Sequence, residues 1–219
     1  MNMVAKICND WKIALGDLSK WLSFDLRKDF RAVSELEKIR LTYRIPHFDC
    51  LVVIGPQYES TELPKDCSTM VVDSALNVFD GHPDVIVSDM DGVTLERLKE
   101  EMMAGSTLFL VAHGDNFEKI LQVVKVLEDY GNVILVSQLL TPSLRIPCIP
   151  AFSDGDKAIF IARLISRKVK IFGFDTNYQS TRSKSVELST KLRKIALSRA
   201  YGTIIWSRYY GELPVPAIG

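Results

Sequence analysis

The fold is decided by the stretch PDVIVSDMDG, which occupies residues 83–92. Its first half contains a short, unbroken run of β-branched residues, which predicts a strand buried on both faces. Its second half leaves that strand through two acidic residues and a glycine, which are residue types of a turn. A buried strand that runs straight into a polar turn is typical of the parallel sheets of α/β proteins.

Short apolar runs of the same kind recur along the chain, and helical periodicity fills the intervals between them. The predicted strands are Cys50–Ile54, Met70–Val72, Val85–Val87, Thr107–Val111, Val133–Val136 and Val169–Phe172. The predicted helices are Leu95–Met103, Asn116–Tyr130, Asp156–Arg167 and Val186–Arg199. This alternation predicts an α/β fold with a Rossmann-like, mostly parallel sheet and helices on both faces.

The chain before the first strand has a different pattern. Apolar residues recur every three or four positions from Trp11 to Leu26, which predicts helices over the first ~45 residues. Pro46 is expected to end that helical region. We therefore expect an N-terminal helical segment at residues 1–47 and an α/β catalytic domain at residues 48–219.

The composition argues against several classes of protein. No apolar run reaches the ~20 residues that a membrane helix needs, and the first residues lack the pattern of a secretory signal. The four cysteines, which include no close pair, argue against a zinc site and against a disulfide framework. They are Cys8, Cys50, Cys67 and Cys148. We therefore expect a protein of the reducing cytoplasm.

The net charge is zero but unevenly distributed, because residues 157–219 hold 12 Lys and Arg against 3 acidic residues. Aromatic residues are not interleaved with these cations in a recognition pattern, so no nucleic-acid partner is expected. The cations form either a solvated helical face or a surface that meets a polyphosphate held by acids of the preceding part.

Polar residues and glycines follow five of the predicted strands. The carboxyl ends of parallel strands share one edge of a sheet, so these residues are expected to converge where open α/β folds bind ligands. The segments concerned are Gly55-Pro56, Asp73-Ser74, Asp89-Met90-Asp91-Gly92, Ala112-His113-Gly114-Asp115-Asn116 and Gly173-Phe174-Asp175.

Asp89 and Asp91 are two positions apart, so in an extended chain their carboxylates point the same way, roughly 6–7 Å apart. Such a pair repels itself unless a cation lies beside it, and Mg²⁺ takes one or two carboxylates together with water and phosphate oxygens. The alternative is a plain turn at Asp91-Gly92, with one acid capping the next helix. The location at the end of a buried strand favours the metal site.

The segment HGDN at residues 113–116 has two interpretations. Asp115 or Asn116 caps the helix that follows, which is a purely structural role. His113 either completes the local structure or donates a hydrogen bond to a phosphate oxygen.

The helix that follows residue 153 offers a second anion site. Ser153 or Asp154 is the expected N-cap, and Lys157 in the first turn would strengthen the attraction of the helix N-terminus for an anion. Gly55-Pro56 permits close approach of the backbone to a phosphate. Neither a P-loop nor a G-x-G-x-x-G segment occurs, so a nucleotide site here has another design.

Four segments together resemble one family. They are PDVIVSDMDG at 83–92, AHGDN at 112–116, FSDGDKA at 152–158 and GFD at 173–175. In this order and spacing the chain is similar to archaeal 6-hydroxymethyl-7,8-dihydropterin pyrophosphokinases of the MptE-like type, from Trp11 to the C-terminal helix. It departs from the family at VIGPQY (53–58) in place of G-x-G-P-S-L, at VDSA (72–75) in place of A-D-G-A, and at Lys157, where arginine is common.

The resemblance implies a Mg²⁺-dependent transfer of the β,γ-pyrophosphoryl group of ATP to the hydroxymethyl group of the pterin, with release of AMP. It implies that Asp89 and Asp91 are the metal ligands. A general base is optional in this reaction, and Asp115 or Asp156 is the candidate. The resemblance implies phosphate or substrate contacts from residues 113–116 and 154–157. The candidate nucleotide or phosphate contacts are Gly55, Pro56, His113, Gly114, Asn116, Gly155 and Lys157, and the candidate substrate contacts are Asp73, Asp154 and Asp175, the last as acceptor of the pterin N–H groups.

Three other functions fit parts of the pattern. Thiamin pyrophosphokinases share the Asp-x-Asp segment but carry a C-terminal β-sandwich, whereas Lys184–Arg199 has a helical pattern. Sugar-nucleotide glycosyltransferases also use Asp-x-Asp with a divalent metal, and a non-catalytic nucleotide- or pterin-binding module is the alternative to an enzyme. The expected partners are ATP and a pterin alcohol, with no membrane, and a homodimer is one arrangement that the sequence allows.

Overall fold

The computed structural model describes residues 3–22, 25–59, 62–140 and 145–174. Its elements are α1 (Met3–Leu22), α2 (Leu26–Leu36), β1 (Phe48–Ile54), β2 (Ser68–Val72), a short 3₁₀ helix (Asp73–Asn77), β3 (Val85–Ser88), α3 (Leu95–Met103), β4 (Thr107–Ala112), α4 (Phe117–Glu128), β5 (Asn132–Ser137), α5 (Asp154–Ile165) and β6 (Ser166–Phe172). The predicted helix Val186–Arg199 and the site candidate Asp175 lie outside these residues. No helix in the described ranges is both long and apolar enough to cross a membrane.

Six strands form one sheet in the order β5-β4-β3-β2-β1-β6, and every neighbouring pair is parallel. The chain moves across the sheet in one direction from β1 to β5 and then returns to place β6 beside β1. Because crossovers between parallel strands are right-handed, α5 lies on the face opposite to α3 and α4. The predicted Rossmann-like α/β fold is confirmed.

The burial of the strands explains why they could be predicted from the sequence. All side chains of β3 and β4 are buried, and β1 is buried from Cys50 to its end, as in a sheet covered by helices. All six predicted strands are confirmed, and α3, α4 and α5 begin and end within two residues of their predicted bounds.

The N-terminal helices end earlier than predicted. The expectation that Pro46 ends the helical region is wrong, because α2 ends at Leu36 and no helix follows it before β1. The connecting chain is held instead by polar side chains at the end of α4 and the start of β5. The Thr42 N–H donates to Glu128 at 3.1 Å, and the Arg44 N–H donates to Asn132 at 3.0 Å.

The N-terminal helices share one core with the sheet. Trp11 and Leu15 of α1 and Val33 and Leu36 of α2 are buried in the same hydrophobic cluster as the strands. The burial of such side chains is worth roughly 1.5–3 kcal/mol each, so these helices contribute to the stability of the α/β part. The boundary at residue 47 stays a prediction.

Cys50 and Cys67 form a disulfide bond, with their Cα atoms 4.7 Å apart. The expectation that the cysteines form no disulfide is therefore wrong. The reason lies in strand register. Leu51 pairs with Ser68 across the parallel strands β1 and β2, so the preceding residues, Cys50 and Cys67, are also neighbours in space. A separation of 17 residues hides this proximity in the sequence. Cys148 is buried and takes no part in this disulfide bond.

Candidate functional site

Charged side chains from four parts of the chain meet at the carboxyl edge of the sheet. Asp73 follows β2, Asp89 follows β3, His113 follows β4, and Asp154 and Lys157 lie in the first turn of α5. His113 Nε2 lies 3.3 Å from Asp89 Oδ2, and the charges of all four other residues act on the Asp154 carboxyl. The structure thus brings together residues that are up to 84 positions apart in sequence.

The turn after β3 is not extended. Met90 has φ +67°, a left-handed conformation that is uncommon for a residue with a side chain. The expectation that Asp89 and Asp91 lie on an extended chain is therefore wrong. Instead the Asp91 N–H donates to Asp89 Oδ1 at 2.8 Å, which closes a tight turn, and the Met90 N–H donates to Ser88 Oγ at 2.8 Å.

Asp73 supports this turn from the neighbouring strand. Its carboxylate accepts a hydrogen bond from Ser88 Oγ at 2.6 Å. A Cβ at Gly92 would clash with the Asp73 carboxylate and lie 2.8 Å from Ser74 Cβ, so the turn needs a glycine there. Burial raises the pKa of Asp73, a shift that the Ser88 hydrogen bond opposes and the nearby charge of Asp89 reinforces. Asp73 itself has φ +41°, a strained conformation of the kind found at functional sites.

His113 is held against Asp89 by the residues that follow it. The Asp115 N–H lies 3.3 Å from His113 Nδ1, and His113 Nε2 faces the Asp89 carboxylate, to which it donates a hydrogen bond. The Asn116 side chain accepts from the His113 N–H at 3.0 Å and donates to the carbonyl oxygens of Asp89 and Val111 at 3.0 and 2.8 Å. Asn116 thereby ties the ends of β3 and β4 together.

The helix caps distinguish between the structural alternatives. Thr94 caps α3 by accepting from the Arg97 N–H at 3.2 Å, so the alternative in which an acid of the β3 turn caps this helix is wrong. Ser153 caps α5, as one of the two expected residues, and Asp156 completes a capping box with it. Asn116 occupies the N-cap position of α4 but makes no capping hydrogen bond.

The start of α5 buries a lysine beside an acid. Lys157 is only 3% exposed, and its Nζ donates to the Phe152 carbonyl at 2.7 Å and lies 3.7 Å from Asp154 Oδ1. The pKa of Asp154 is raised to about 7, chiefly by burial and next by the charge of Asp89, while Lys157 and His113 oppose the shift. Burial and the charge of Asp89 together thus disfavour the ionised form of Asp154.

Two glycines contact the Phe174 ring where β1 and β6 end, at the point where the strand order reverses. A Cβ at Gly55 would lie 2.5 Å from the Gly173 carbonyl oxygen and 2.8 Å from the Phe174 ring, and a Cβ at Gly155 would lie 2.8 Å from that ring. The backbone contact requires glycine at position 55, whereas at position 155 a side chain would only have to displace the Phe174 ring. Pro56 lies in the turn that follows Gly55.

Two side chains near the site were missed by the sequence reasoning. Lys119, in the first turn of α4, donates through Nζ to the carbonyl oxygen of Met90, between the two predicted metal ligands. Its signal was a cation three residues after Asn116. Asp29 on α2 accepts a hydrogen bond from the Gly114 N–H, and no local signal identifies a residue 85 positions away.

The donor set at this edge suits a hard cation. Within the described residues, no group of three or more His, Cys, Asp or Glu side chains forms a preformed metal site. Magnesium needs fewer, because it takes one or two carboxylates and completes its shell with water and phosphate oxygens. Asp73 and Asp154 both have raised pKa values, to which the charge of Asp89 contributes, and a divalent cation beside Asp89 would relieve that repulsion.

Comparison with known proteins gives one relative with a curated name. A 6-hydroxymethyl-7,8-dihydropterin pyrophosphokinase of Methanocaldococcus jannaschii is 38% identical to this chain over 92 residues. The match covers 42% of this chain and 38% of that protein, which is well under half the length of the relative. No protein-family model matches the chain. The expected resemblance to these pyrophosphokinases is confirmed over the matched 92 residues.

Proposed function

We propose that this chain transfers the β,γ-pyrophosphoryl group of ATP to the hydroxymethyl group of 6-hydroxymethyl-7,8-dihydropterin and releases AMP. The observation that carries this proposal is the 92-residue match to a pyrophosphokinase of that name. The cluster of acids and cations at the carboxyl edge of the sheet supports it, because such an edge is where open α/β folds bind their ligands.

Asp89 and Asp91 are the proposed ligands of Mg²⁺. They flank one tight turn, and the charge of Asp89 helps to raise the pKa values of Asp73 and Asp154, a repulsion that a cation beside Asp89 would relieve. When bound there, the metal would neutralise the triphosphate charge. Lys119, whose ammonium group lies on the same turn, supplies a second positive charge for the phosphate oxygens.

His113 and Lys157 are the proposed phosphate contacts of the protein itself. His113 is 24% exposed in its side chain and presents a ring N–H at the acidic turn. Lys157 lies at the N-terminus of α5, which favours an anion. Asn116 has a different proposed role, because both the N–H groups and the oxygen of its amide bind the backbone. It positions His113 rather than holding a phosphate.

Asp154 is the best candidate to accept the proton of the hydroxymethyl group. A carboxyl group with a pKa of about 7 is suited to proton transfer near neutral pH. The earlier candidates fit less well, since Asp156 accepts the Ser153 N–H in the capping box and Asp115 is exposed. Asp175 stays the proposed acceptor of the pterin N–H groups.

The proposed reaction implies a cellular location and a pathway. We infer that the protein works in the cytoplasm, in a tetrahydromethanopterin or folate-type pterin pathway, on small molecules alone. The location rests on the proposed pathway, because the Cys50–Cys67 bond removes the support of the cysteine pattern. Dimerisation stays a prediction.

The test is an assay of nucleotide products with a panel of acceptors. The protein is incubated with ATP and Mg²⁺ and either the pterin, thiamin or a sugar acceptor, and nucleotides are separated by chromatography. We expect metal-dependent AMP with the pterin and not with an Asp89→Ala variant. ADP as the main product, or AMP only with thiamin, would contradict the proposal.

A further inference from the structure

Asp29 is a carboxylate on α2 that is only 7% exposed. Its Oδ1 accepts a hydrogen bond from the Gly114 N–H at 2.7 Å, and its Oδ2 accepts one from the Gln138 side-chain amide at 2.8 Å. Hydrogen bonds to an ionised acceptor are shorter and stronger than those between neutral groups. One side chain therefore ties α2 to the loops that follow β4 and β5.

The residues around Gly114 are tightly packed. A Cβ at Gly114 would lie 2.8 Å from both Asp29 Oδ1 and Lys28 Cβ, so α2 can approach the loop only because residue 114 is glycine. On the other side, Trp11 of α1 donates through Nε1 to the Gln138 carbonyl at 2.9 Å. Both N-terminal helices are thus bonded to loops at the carboxyl edge of the sheet.

Gly114 is the neighbour of His113, which connects this contact to the acidic turn. His113 Nε2 lies 3.3 Å from Asp89 Oδ2, and its backbone N–H is held by the Asn116 side chain. A displacement of the Gly114 peptide would move the His113 ring relative to Asp89.

We propose that Asp29 is a positioning residue. Its buried carboxylate fixes the His113–Asn116 turn and so keeps the His113 ring within hydrogen-bond distance of Asp89. Helix α2 is thereby a working part of the site. The consequence for catalysis rests on the proposed pyrophosphoryl transfer, whereas the consequence for the His113 ring does not.

Two substitutions separate the charge of Asp29 from its shape. Asp29→Asn keeps an oxygen for the Gly114 N–H but replaces both charge-assisted hydrogen bonds by weaker neutral ones, so the turn is held less firmly. Asp29→Ala removes the acceptor altogether. Glu35→Gln is the matched control, because Glu35 lies on the same helix with its side chain 52% exposed and paired with Lys38.

Turnover numbers and Michaelis constants for ATP and the pterin give the first readout. We expect kcat to fall about 10-fold in Asp29→Asn and about 100-fold in Asp29→Ala, because small displacements of a catalytic group cost that much. Glu35→Gln should leave kcat unchanged. If Asp29 acts through His113, adding either Asp29 substitution to His113→Ala should lower kcat no further. Full activity in Asp29→Asn, or losses that multiply in the double variant, would overturn the proposal.

The ring signals of His113 in nuclear magnetic resonance spectra give a readout that needs no activity. We expect these signals to shift in Asp29→Asn and to stay in place in Glu35→Gln. Unchanged His113 signals in Asp29→Asn would overturn the positioning role. If the wild-type protein has no pyrophosphokinase activity but the His113 signals shift in Asp29→Asn as expected, the proposed function is refuted and the positioning role stands. If Asp29→Ala does not fold, the Asp29→Asn variant alone tests the positioning role.

Discussion

Replacing Asp154 with asparagine is expected to stabilise the metal-free protein at pH 8. The carboxyl group of Asp154 has a pKa of about 7 in the folded protein, against 3.8 for an unperturbed aspartate. The folded state therefore disfavours the charged form, and this cost grows as the pH rises from about 4 to about 7. Above pH 7 the cost is constant, and below pH 4 it is absent.

The size of the effect follows from the shift in pKa. A difference of about three pKa units corresponds to about 4 kcal/mol at most, at 1.36 kcal/mol per unit. The side chain of Asp154 is 18% exposed, and Lys157 at 3.7 Å loses a counter-charge in the variant. Both facts reduce the gain, so we expect about 1–2 kcal/mol at pH 8 and close to zero near pH 4.

Urea unfolding in the presence of a chelator, monitored by circular dichroism at pH 5 and pH 8, measures the difference in free energy of unfolding between the variant and the wild type. Asp80→Asn is the control, because Asp80 is an exposed aspartate in the loop before β3. Its effect should be small at both pH values. A variant Asp154→Asn that is no more stable than the wild type at pH 8, or equally stabilised at pH 5 and pH 8, would refute the reasoning.

Three further predictions follow from the same contacts. Asp89→Ala and Asp91→Ala should each abolish turnover while the circular dichroism spectrum stays native, since they remove the proposed metal ligands; full activity in both would exclude the metal assignment. Gly114→Ala should lower the free energy of unfolding by about 1–3 kcal/mol, because its Cβ would lie 2.8 Å from side chains of α2; an unchanged urea midpoint would contradict the close approach of α2. Cys67→Ser should cost about 3 kcal/mol under oxidising conditions, because the Cys50–Cys67 bond closes a loop over a separation of 17 residues. The same substitution should cost little in a reductant, and an equal cost in both would mean that the bond does not form.

The strands and their shared edge could be predicted from sequence because burial leaves a direct mark on composition. Val85, Ile86 and Val87 are fully buried in β3, and a strand buried on both faces has no room for polar residues. Parallel pairing then places every carboxyl end at one edge, so the proximity of His113 to Asp89 followed from topology.

Contacts that depend on register or on close packing could not be predicted in this way. The Cys50–Cys67 bond requires the pairing of Leu51 with Ser68, which no local pattern encodes. The contact of Asp29 with Gly114 depends on how α2 docks, and a buried aspartate in a helix has the same sequence pattern as an exposed one.

Local geometry also changed the roles of individual residues. The left-handed conformation of Met90 places Asp89 and Asp91 on a tight turn, which a strand pattern does not suggest. Asp154 was expected to contact substrate, and only its burial beside Asp89 identifies it as a candidate for proton transfer. Burial of a charged group is a property of the folded site, so composition alone does not reveal it.

The most direct test of pyrophosphoryl transfer is the mass of the pterin product. The wild-type protein is incubated with ATP, Mg²⁺ and 6-hydroxymethyl-7,8-dihydropterin, and the pterin is analysed by mass spectrometry alongside quantification of AMP. We predict that each converted pterin gains two phosphoryl groups and that one AMP appears for each. A pterin that gains a single phosphoryl group with release of ADP, or that stays unmodified while ATP is consumed, would contradict the proposed function.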